Sequence, residues 1–208
     1  MKTISYLKEI YGYGVPIFLK DIRIGKKSKT AIRQDLSRAV QKGDIVRESQ
    51  GIYYFDLKGE FPTTISFEKI LQIKFVKDDH GIDGLNLDVY GYYTGLTFLN
   101  YLGISQQVPA VLEIVSNKTS CKRLFKCNGY RALVRKGKIE INRFNYRALQ
   151  FFDAFYLLDN DEIKQHRKLL RNYISKNLSK SDFEHYIDLY PTKIFKKIVE
   201  GGLIDAFR

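Results

Sequence analysis

The sequence has few of the residues that cross-link or metallate small proteins. Its 208 residues include two cysteines, three histidines, one methionine and no tryptophan. Cys121 and Cys127 are too few for a disulfide framework or a four-cysteine zinc site, so a reduced, cytoplasmic setting fits best. His80 lies beside Asp78 and Asp79, but no second group of ligands accompanies this acidic loop. The sequence therefore predicts no metal site.

Membrane-spanning segments, signal sequences and common catalytic motifs are also not recognised in the sequence. No apolar run approaches the roughly 18 residues of a membrane span, and no signal sequence follows Lys2, so no membrane association is predicted. The phosphate-binding pattern GxxxxGK[ST] does not occur, and neither cysteine has a nearby histidine to act as a base. We therefore predict no catalytic residues, no cofactor and no enzymatic activity.

Positive charge is in excess. The chain has 35 lysines and arginines against 23 acids, which gives a net charge of +12 and a pI of about 9.5. This balance favours a polyanionic partner, because each neutralised phosphate releases counterions. Basic proteins also bind membranes or acidic proteins, so charge alone does not identify the partner. A hydrophobic content of 44% is sufficient for a packed core.

Residues 28–55 have the pattern of a recognition helix followed by a two-stranded wing. Ser28 is a good N-cap, and Gly43 can take the left-handed conformation that ends a helix. Two β-type runs follow, at 44–48 and 52–55, separated by Ser49-Gln50-Gly51. The helix between the two caps has an apolar stripe formed by Ile32, Leu36, Ala39 and Val40. Its opposite face is polar and mostly cationic, and comprises Lys29, Thr30, Arg33, Gln34, Ser37, Arg38 and Gln41.

Two earlier helices are predicted in front of this one. The first spans Met1–Tyr11, and the second begins at Pro16, which suits a first helical turn. Ile17, Phe18, Leu19 and Ile22 would pack the second helix under the third. Three helices and a hairpin are the layout of a winged helix-turn-helix, whose recognition helix enters the DNA major groove. The alternative is an ordinary amphipathic helix with a solvated charged face.

The predicted fold class is α+β, with an N-terminal winged helix-turn-helix at 1–58 and a C-terminal mixed α/β domain at 62–208 that ends in helices. The joint is placed at Asp56–Pro62, which contains a glycine and a proline. In the second domain, 64–77 is a helix or a strand pair, Thr94–Leu102 is a helix, and Val108–Val115 is a buried strand. Residues 138–141 show strand-like alternation, and the chain is helical in pattern from Tyr146 onwards.

A second basic surface is predicted in the C-terminal domain. Residues 118–147 contain ten lysines and arginines and a single acid, Glu140. A solvated sheet face or a second nucleic-acid surface is the favoured interpretation. An RNA-cleaving or phosphate site and a docking surface for an acidic protein are the alternatives. The residues assigned to this surface are Lys122, Arg123, Lys126, Arg131, Arg135, Lys136, Lys138 and Arg143.

The sequence resembles the AbiEi-type antitoxins of bacterial abortive-infection (type IV toxin–antitoxin) systems. KTAIRQDLSRAVQKGDIVRESQGIYYF at 29–55 and GYYTGLTFLNYLGISQQVP at 91–109 carry the likeness. The resemblance implies an antitoxin that represses its own operon by binding inverted repeats and opposes a nucleotidyltransferase-like toxin, which it need not touch. A monomer in solution that pairs on operator DNA is compatible with this scheme. The implied DNA contacts are Lys26, Lys27, Ser28, Lys29, Thr30, Arg33, Gln34, Ser37, Arg38, Ser49 and Gln50.

Overall fold

The fold is mixed α+β, as predicted. A computed structural model describes residues 3–57, 64–78 and 88–207. The predicted joint lies partly outside these residues, and the acidic loop around His80 lies almost wholly outside them. The chain divides into two compact units. Unit 1 runs to Ile73 and includes Cys127–Tyr130, whereas unit 2 comprises Lys74–Lys126 and continues from Arg131. Unit 1 thus extends beyond the predicted domain boundary at 58–62.

Unit 1 contains two long helices and a three-stranded sheet. The sheet has the order β1-β3-β2, and both pairings are antiparallel. Its core includes Leu7, Ile17, Ile32 and Leu36, all nearly or fully inaccessible to solvent. The elements are α1 (Thr3–Tyr11), β1 (Ile17–Phe18), α2 (Lys29–Gln41), β2 (Val46–Ser49), β3 (Ile52–Tyr54) and α3 (Phe67–Leu71), after which a π-helical segment covers Gln72–Val76.

Helix α2 begins and ends where the local sequence predicts. The Ser28 hydroxyl accepts a hydrogen bond from the Ala31 amide at 3.2 Å, and Gly43 has a φ of +72°. Ile32, Leu36 and Ala39 are buried, and Val40 packs beside them. The predicted hairpin is also present. Ser49 pairs with Ile52, so the turn consists of Gln50 and Gly51.

The predicted second helix is wrong. Ile17 and Phe18 form strand β1, which pairs with Tyr53 and Ile52 of β3. The Leu19 amide continues this pairing by donating to the Gly51 carbonyl at 2.9 Å. β-Branched and aromatic residues fit a half-buried sheet, and β3 supplies the backbone partners. The predicted core of three helices is therefore replaced by two helices and a strand in the described part of residues 1–45.

The N-cap of α2 gives a direct stability prediction. Ser28→Ala should lower the free energy of unfolding by about 1 kcal/mol, because an amide of the first turn loses its acceptor. Ser37→Ala is the matched control, since Ser37 is exposed in the middle of the same helix. Urea unfolding followed by circular dichroism measures both variants. Equal midpoints for Ser28→Ala and Ser37→Ala would contradict a capping role.

Unit 2 is built on a four-stranded sheet with the order β4-β5-β7-β6, in which β4 and β5 are antiparallel and β5 and β7 are parallel. Alternation places Val115 on the face that packs against the C-terminal helices, in a core that includes Phe151 and Phe152. The elements are β4 (Gly91–Tyr93), α4 (Gly95–Tyr101), β5 (Leu112–Ser116), β6 (Arg123–Cys127), β7 (Tyr130–Arg135), α5 (Tyr146–Ala154), α6 (Asn160–Gln165), α7 (Arg167–Asn177), α8 (Lys180–Tyr186) and α9 (Thr192–Glu200).

Two predictions for the C-terminal half are confirmed, since helix α4 lies within Thr94–Leu102 and helices predominate from Tyr146 onwards. Of the two alternatives for 64–77, the structure has the helix, at residues 67–76. Two strand predictions need correction. Strand β5 begins only at Leu112, and Val108 is 80% exposed, so the buried strand is shorter than its apolar pattern suggests. Residues 138–141 form no strand. None of the helices in the described ranges is both long and apolar enough to span a bilayer.

Candidate nucleic-acid interface

The outer face of α2 is polar, cationic and open to solvent. Arg33, Ser37 and Gln41 are each four residues apart and therefore lie in one row along the helix. Thr30 and Gln34 form the adjacent row. All five side chains are exposed, as are Ser28 and Lys29 at the start of the helix. A helix that presents such a face has the dimensions that the major groove of B-DNA admits.

Lys27 has a partner inside unit 1. Its ammonium donates to the Thr3 hydroxyl at 2.7 Å and forms an ion pair with Asp35, and the Thr3 hydroxyl also donates to Asp35. This group joins the loop before α2 to the first turn of α1 and to the middle of α2. Lys27 is thus a structural cation as well as a predicted DNA contact. Lys26 and Lys27 are both exposed.

The Asp35 cluster predicts a pH dependence. The hydrogen bonds from Lys27 and then Thr3 hold the pKa of Asp35 below its usual value. A carboxyl group with a lowered folded-state pKa stabilises the fold above its unfolded pKa of about 4. That stabilisation is lost as the pH falls from about 4 through the folded pKa.

Asp35→Asn should therefore be less stable than the wild type at pH 7. The difference should narrow as the pH is lowered below about 4, because protonation neutralises the wild-type carboxylate. Thermal unfolding at several pH values measures it, with Asp44→Asn as an exposed acidic control. A stability difference for Asp35→Asn that is the same at pH 7 and pH 3 would contradict the account.

The tip of the β2–β3 hairpin is a tight turn. Gly51 has a φ of +76°, which permits the tight turn, and Gln50 is exposed. Ser49 is half-buried, and its carbonyl accepts a bond from Arg47 Nε at 3.4 Å. Of the two predicted tip contacts, Gln50 is thus the more accessible.

Unit 1 also includes a turn that sequence reasoning missed. Asn128 and Gly129 connect β6 to β7 and have φ values of +46° and +81°. Asn128 donates to the Glu48 carboxylate on β2, and Tyr130 stacks on Phe67 with ring centroids 5.5 Å apart. Asn-Gly between two strand-like runs is the usual signature of a two-residue hairpin, so the sequence did contain the signal.

Seven of the eight cations predicted for the second basic surface are exposed, namely Lys122, Arg123, Lys126, Arg131, Lys136, Lys138 and Arg143. Two of the eight have partners within unit 2. Arg135 forms an ion pair with Asp153 at 2.6 Å, and Lys138 donates to the Leu189 carbonyl at 2.7 Å and to the Tyr156 hydroxyl at 2.8 Å. Arg135 and Lys138 therefore serve the fold.

Asp153 is a buried acid that the sequence analysis did not single out. Its side chain is 1% exposed, and Oδ2 accepts bonds from Arg135, from the Tyr92 hydroxyl at 3.0 Å and from Thr94 at 3.3 Å. Burial, and then the charge of Asp153, raises the pKa of Tyr92 and of Tyr190. Both phenols thus remain protonated. One feature of the sequence could have indicated this buried acid: Asp153 is the single acid within the apolar run 148–158.

The described residues offer no group of three or more His, Cys, Asp or Glu side chains that could hold a metal ion. The chain is thus an α+β protein with an exposed cationic helix in unit 1 and exposed cations on the β6–β7 side of unit 2. Its sequence matches no protein-family model and no curated protein at a significant level.

Proposed function

We propose that this protein is a DNA-binding antitoxin that represses its own toxin–antitoxin operon. The observation that carries the DNA-binding part is the exposed row Arg33, Ser37 and Gln41 on α2, directly followed by a hairpin. The antitoxin part rests on the resemblance of residues 29–55 and 91–109 to AbiEi-type antitoxins. In this proposal the DNA partner is a duplex with inverted repeats, and the protein partner is a nucleotidyltransferase-like toxin.

Unit 1 acts in this proposal as a winged helix in which a turn replaces the middle helix. A turn over residues 19–21 stands where the second helix of a helix-turn-helix would lie. The order β1-β3-β2 supports this assignment, because β1 adds to the wing hairpin and fixes it beside α2. The wing tip at Gln50 would then lie near the DNA backbone while α2 occupies the major groove.

The two kinds of DNA contact have different effects. Arg33 and Gln34 offer hydrogen bonds to purine edges, which read sequence. Lys26, Lys29 and Arg38 neutralise phosphates, which sets affinity and its dependence on salt. Lys27 would contribute less than Lys26, because its charge is already balanced by Asp35.

Fluorescence anisotropy tests the DNA-binding proposal. The full chain is titrated into a labelled duplex from directly upstream of its own coding region and into a scrambled duplex of the same composition. We expect tighter binding to the upstream duplex and a steep loss of affinity with salt for both. Equal binding to the two duplexes at every salt concentration would refute sequence-specific repression.

The antitoxin role needs a separate test. The neighbouring gene is expressed alone and together with this chain, and growth of the host is followed. If a neighbouring nucleotidyltransferase-like protein arrests growth and this chain restores it, the role is supported. If this chain is expressed at a comparable level and growth stays arrested, the antitoxin role is excluded while DNA binding is unaffected.

A nucleic-acid-processing enzyme that uses the 118–147 surface is the second candidate. The seven exposed cations of that surface favour it, since none of them forms a salt bridge with an acid in the described residues. Incubation of purified protein with DNA and RNA, with and without divalent metal, separates the candidates. Cleavage that is lost in Arg123→Gln and Arg131→Gln would favour the enzyme over the regulator.

A further inference from the structure

A groove of about 820 Å³ lies between α1 and the flank of α2 in unit 1. Its volume is within the range of small-molecule sites. The row Arg33, Ser37 and Gln41 of α2, which would meet the DNA bases, does not line it. The lining comes from α1, α2 and the two ends of the wing, and includes Lys8, Tyr13, Lys27, Asp35, Arg38, Ala39, Lys42, Asp44, Ile45, Phe55 and Asp56.

The floor of this groove is apolar and partly aromatic. Ala39, Ile45 and Phe55 are buried in the core of unit 1. Tyr13 remains 40% exposed and meets Phe55 edge-on, with ring centroids 6.4 Å apart. The Lys8 ammonium lies 4.8 Å from the centroid of the Tyr13 ring. An aromatic ring entering the groove would find one open aromatic side chain with a cation beside it.

Three cations, Lys8, Arg38 and Lys42, also line the groove. Arg38 and Lys42 are one turn apart on α2, so their charged ends lie on the same side of the helix. Lys8 lies on α1, and none of the three forms a salt bridge within the described part of the chain. An anionic group placed between them would form charge-assisted hydrogen bonds.

The acids of the groove offset only part of this charge. Its lining contains four cations, Lys8, Lys27, Arg38 and Lys42, against three acids, Asp35, Asp44 and Asp56. Asp35 forms its ion pair with Lys27. The cationic end and the apolar floor therefore define the ligand class.

We infer that the groove binds a small aromatic organic anion. The ring packs against Tyr13, and the anionic group is bound by Arg38 and Lys42 with help from Lys8. Arg38 is also a predicted phosphate contact of α2. On the proposed function, the anion and a DNA duplex would therefore compete for Arg38, and the ligand would act as an inducer.

The probe that tests the site is 8-anilinonaphthalene-1-sulfonate, an aromatic anion whose fluorescence rises on binding. The neutral control is N-phenyl-1-naphthylamine, which has the same rings without the sulfonate. Arg38→Gln and Lys42→Gln should each weaken binding of the anion roughly tenfold, because each removes a charge-assisted contact. Arg33→Gln is the matched variant on the same helix, outside the groove, and should leave binding unchanged.

Circular dichroism shows that each variant is folded before its titration is used. The inference is overturned if the anion does not bind, if Arg33→Gln weakens it as much as Arg38→Gln, or if the neutral probe loses affinity in parallel. In a second experiment the anion is added to the protein bound to DNA, and we expect release of the duplex. If no duplex binds at all, the proposed function fails, but the titrations without DNA still decide whether the groove is a ligand site.

Discussion

Replacing Arg33 with alanine should lower the affinity for the upstream duplex by about 1–3 kcal/mol and leave the affinity for a scrambled duplex much less changed. Arg33 is the first residue of the exposed row of α2, where a side chain can reach a base edge. The loss of a bidentate contact to a purine removes sequence preference as well as binding energy. Anisotropy titrations at a fixed salt concentration measure both duplexes.

Arg38→Ala is the control for this prediction. Arg38 lies at the flank of α2, on the side of the α1–α2 groove, and is assigned to phosphate. Its removal should weaken binding to all sequences alike and reduce the salt dependence by about one phosphate contact. If Arg33→Ala lowers affinity equally on the upstream and the scrambled duplex, Arg33 does not read bases.

The largest effect on stability is expected for Arg135→Met, at about 3 kcal/mol. The substitution leaves the Asp153 carboxylate buried, with two neutral hydroxyl donors and no cation. We expect the lower end of the range for buried ion pairs, since the Arg135 side chain is itself 35% exposed. Denaturant unfolding at pH 7 gives the difference.

Arg131→Met provides the matched control. Arg131 lies on the same strand and, four residues earlier, on the same face of the sheet, but it is exposed and forms no salt bridge within the described residues. Its substitution should change stability by less than about 0.5 kcal/mol. The double variant Arg135→Met, Asp153→Asn should recover part of the loss, because no buried charge remains. Equal stabilities of Arg135→Met and Arg131→Met would show that the ion pair does not stabilise unit 2.

Local signals predicted helix α2 and the hairpin well. The Ser28 cap, the apolar stripe and Gly43 all lie within sixteen residues of one another, and each acts through its own neighbours. The helices after Tyr146 also have local signals at their starts. Asp159 caps the N-terminus of α6, and Ser179 caps that of α8. Elements that form because of residues close to them in the chain could therefore be predicted from the sequence.

Non-local pairing explains the main error in unit 1. Ile17 and Phe18 are a strand because Ile52 and Tyr53 lie beside them, 34 to 36 residues later in the chain. Neither the proline at 16 nor the apolar run after it indicates that partner. The groove beside α2 could not be predicted for the same reason, since it depends on how α1 packs against α2.

Two cations of the basic segment have partners that the sequence did not indicate, for a related reason. Residues 130–135 form strand β7, but their alternation gives no information about what lies opposite Arg135. Asp153 reaches it from helix α5, 18 residues later. The side chain of Lys138 likewise meets Tyr156 and the Leu189 carbonyl, which are distant in sequence. Charge counts identify a basic segment but not which of its cations are free.

The most direct test of the central claim is to map the DNA contacts on the protein by amide chemical shifts. The full chain is labelled with nitrogen-15 and titrated with the upstream duplex. The account predicts that the largest changes fall on the amides of residues 26–41 and on Gln50 at the wing tip. Changes confined to residues 118–147, with α2 unaffected, would contradict it.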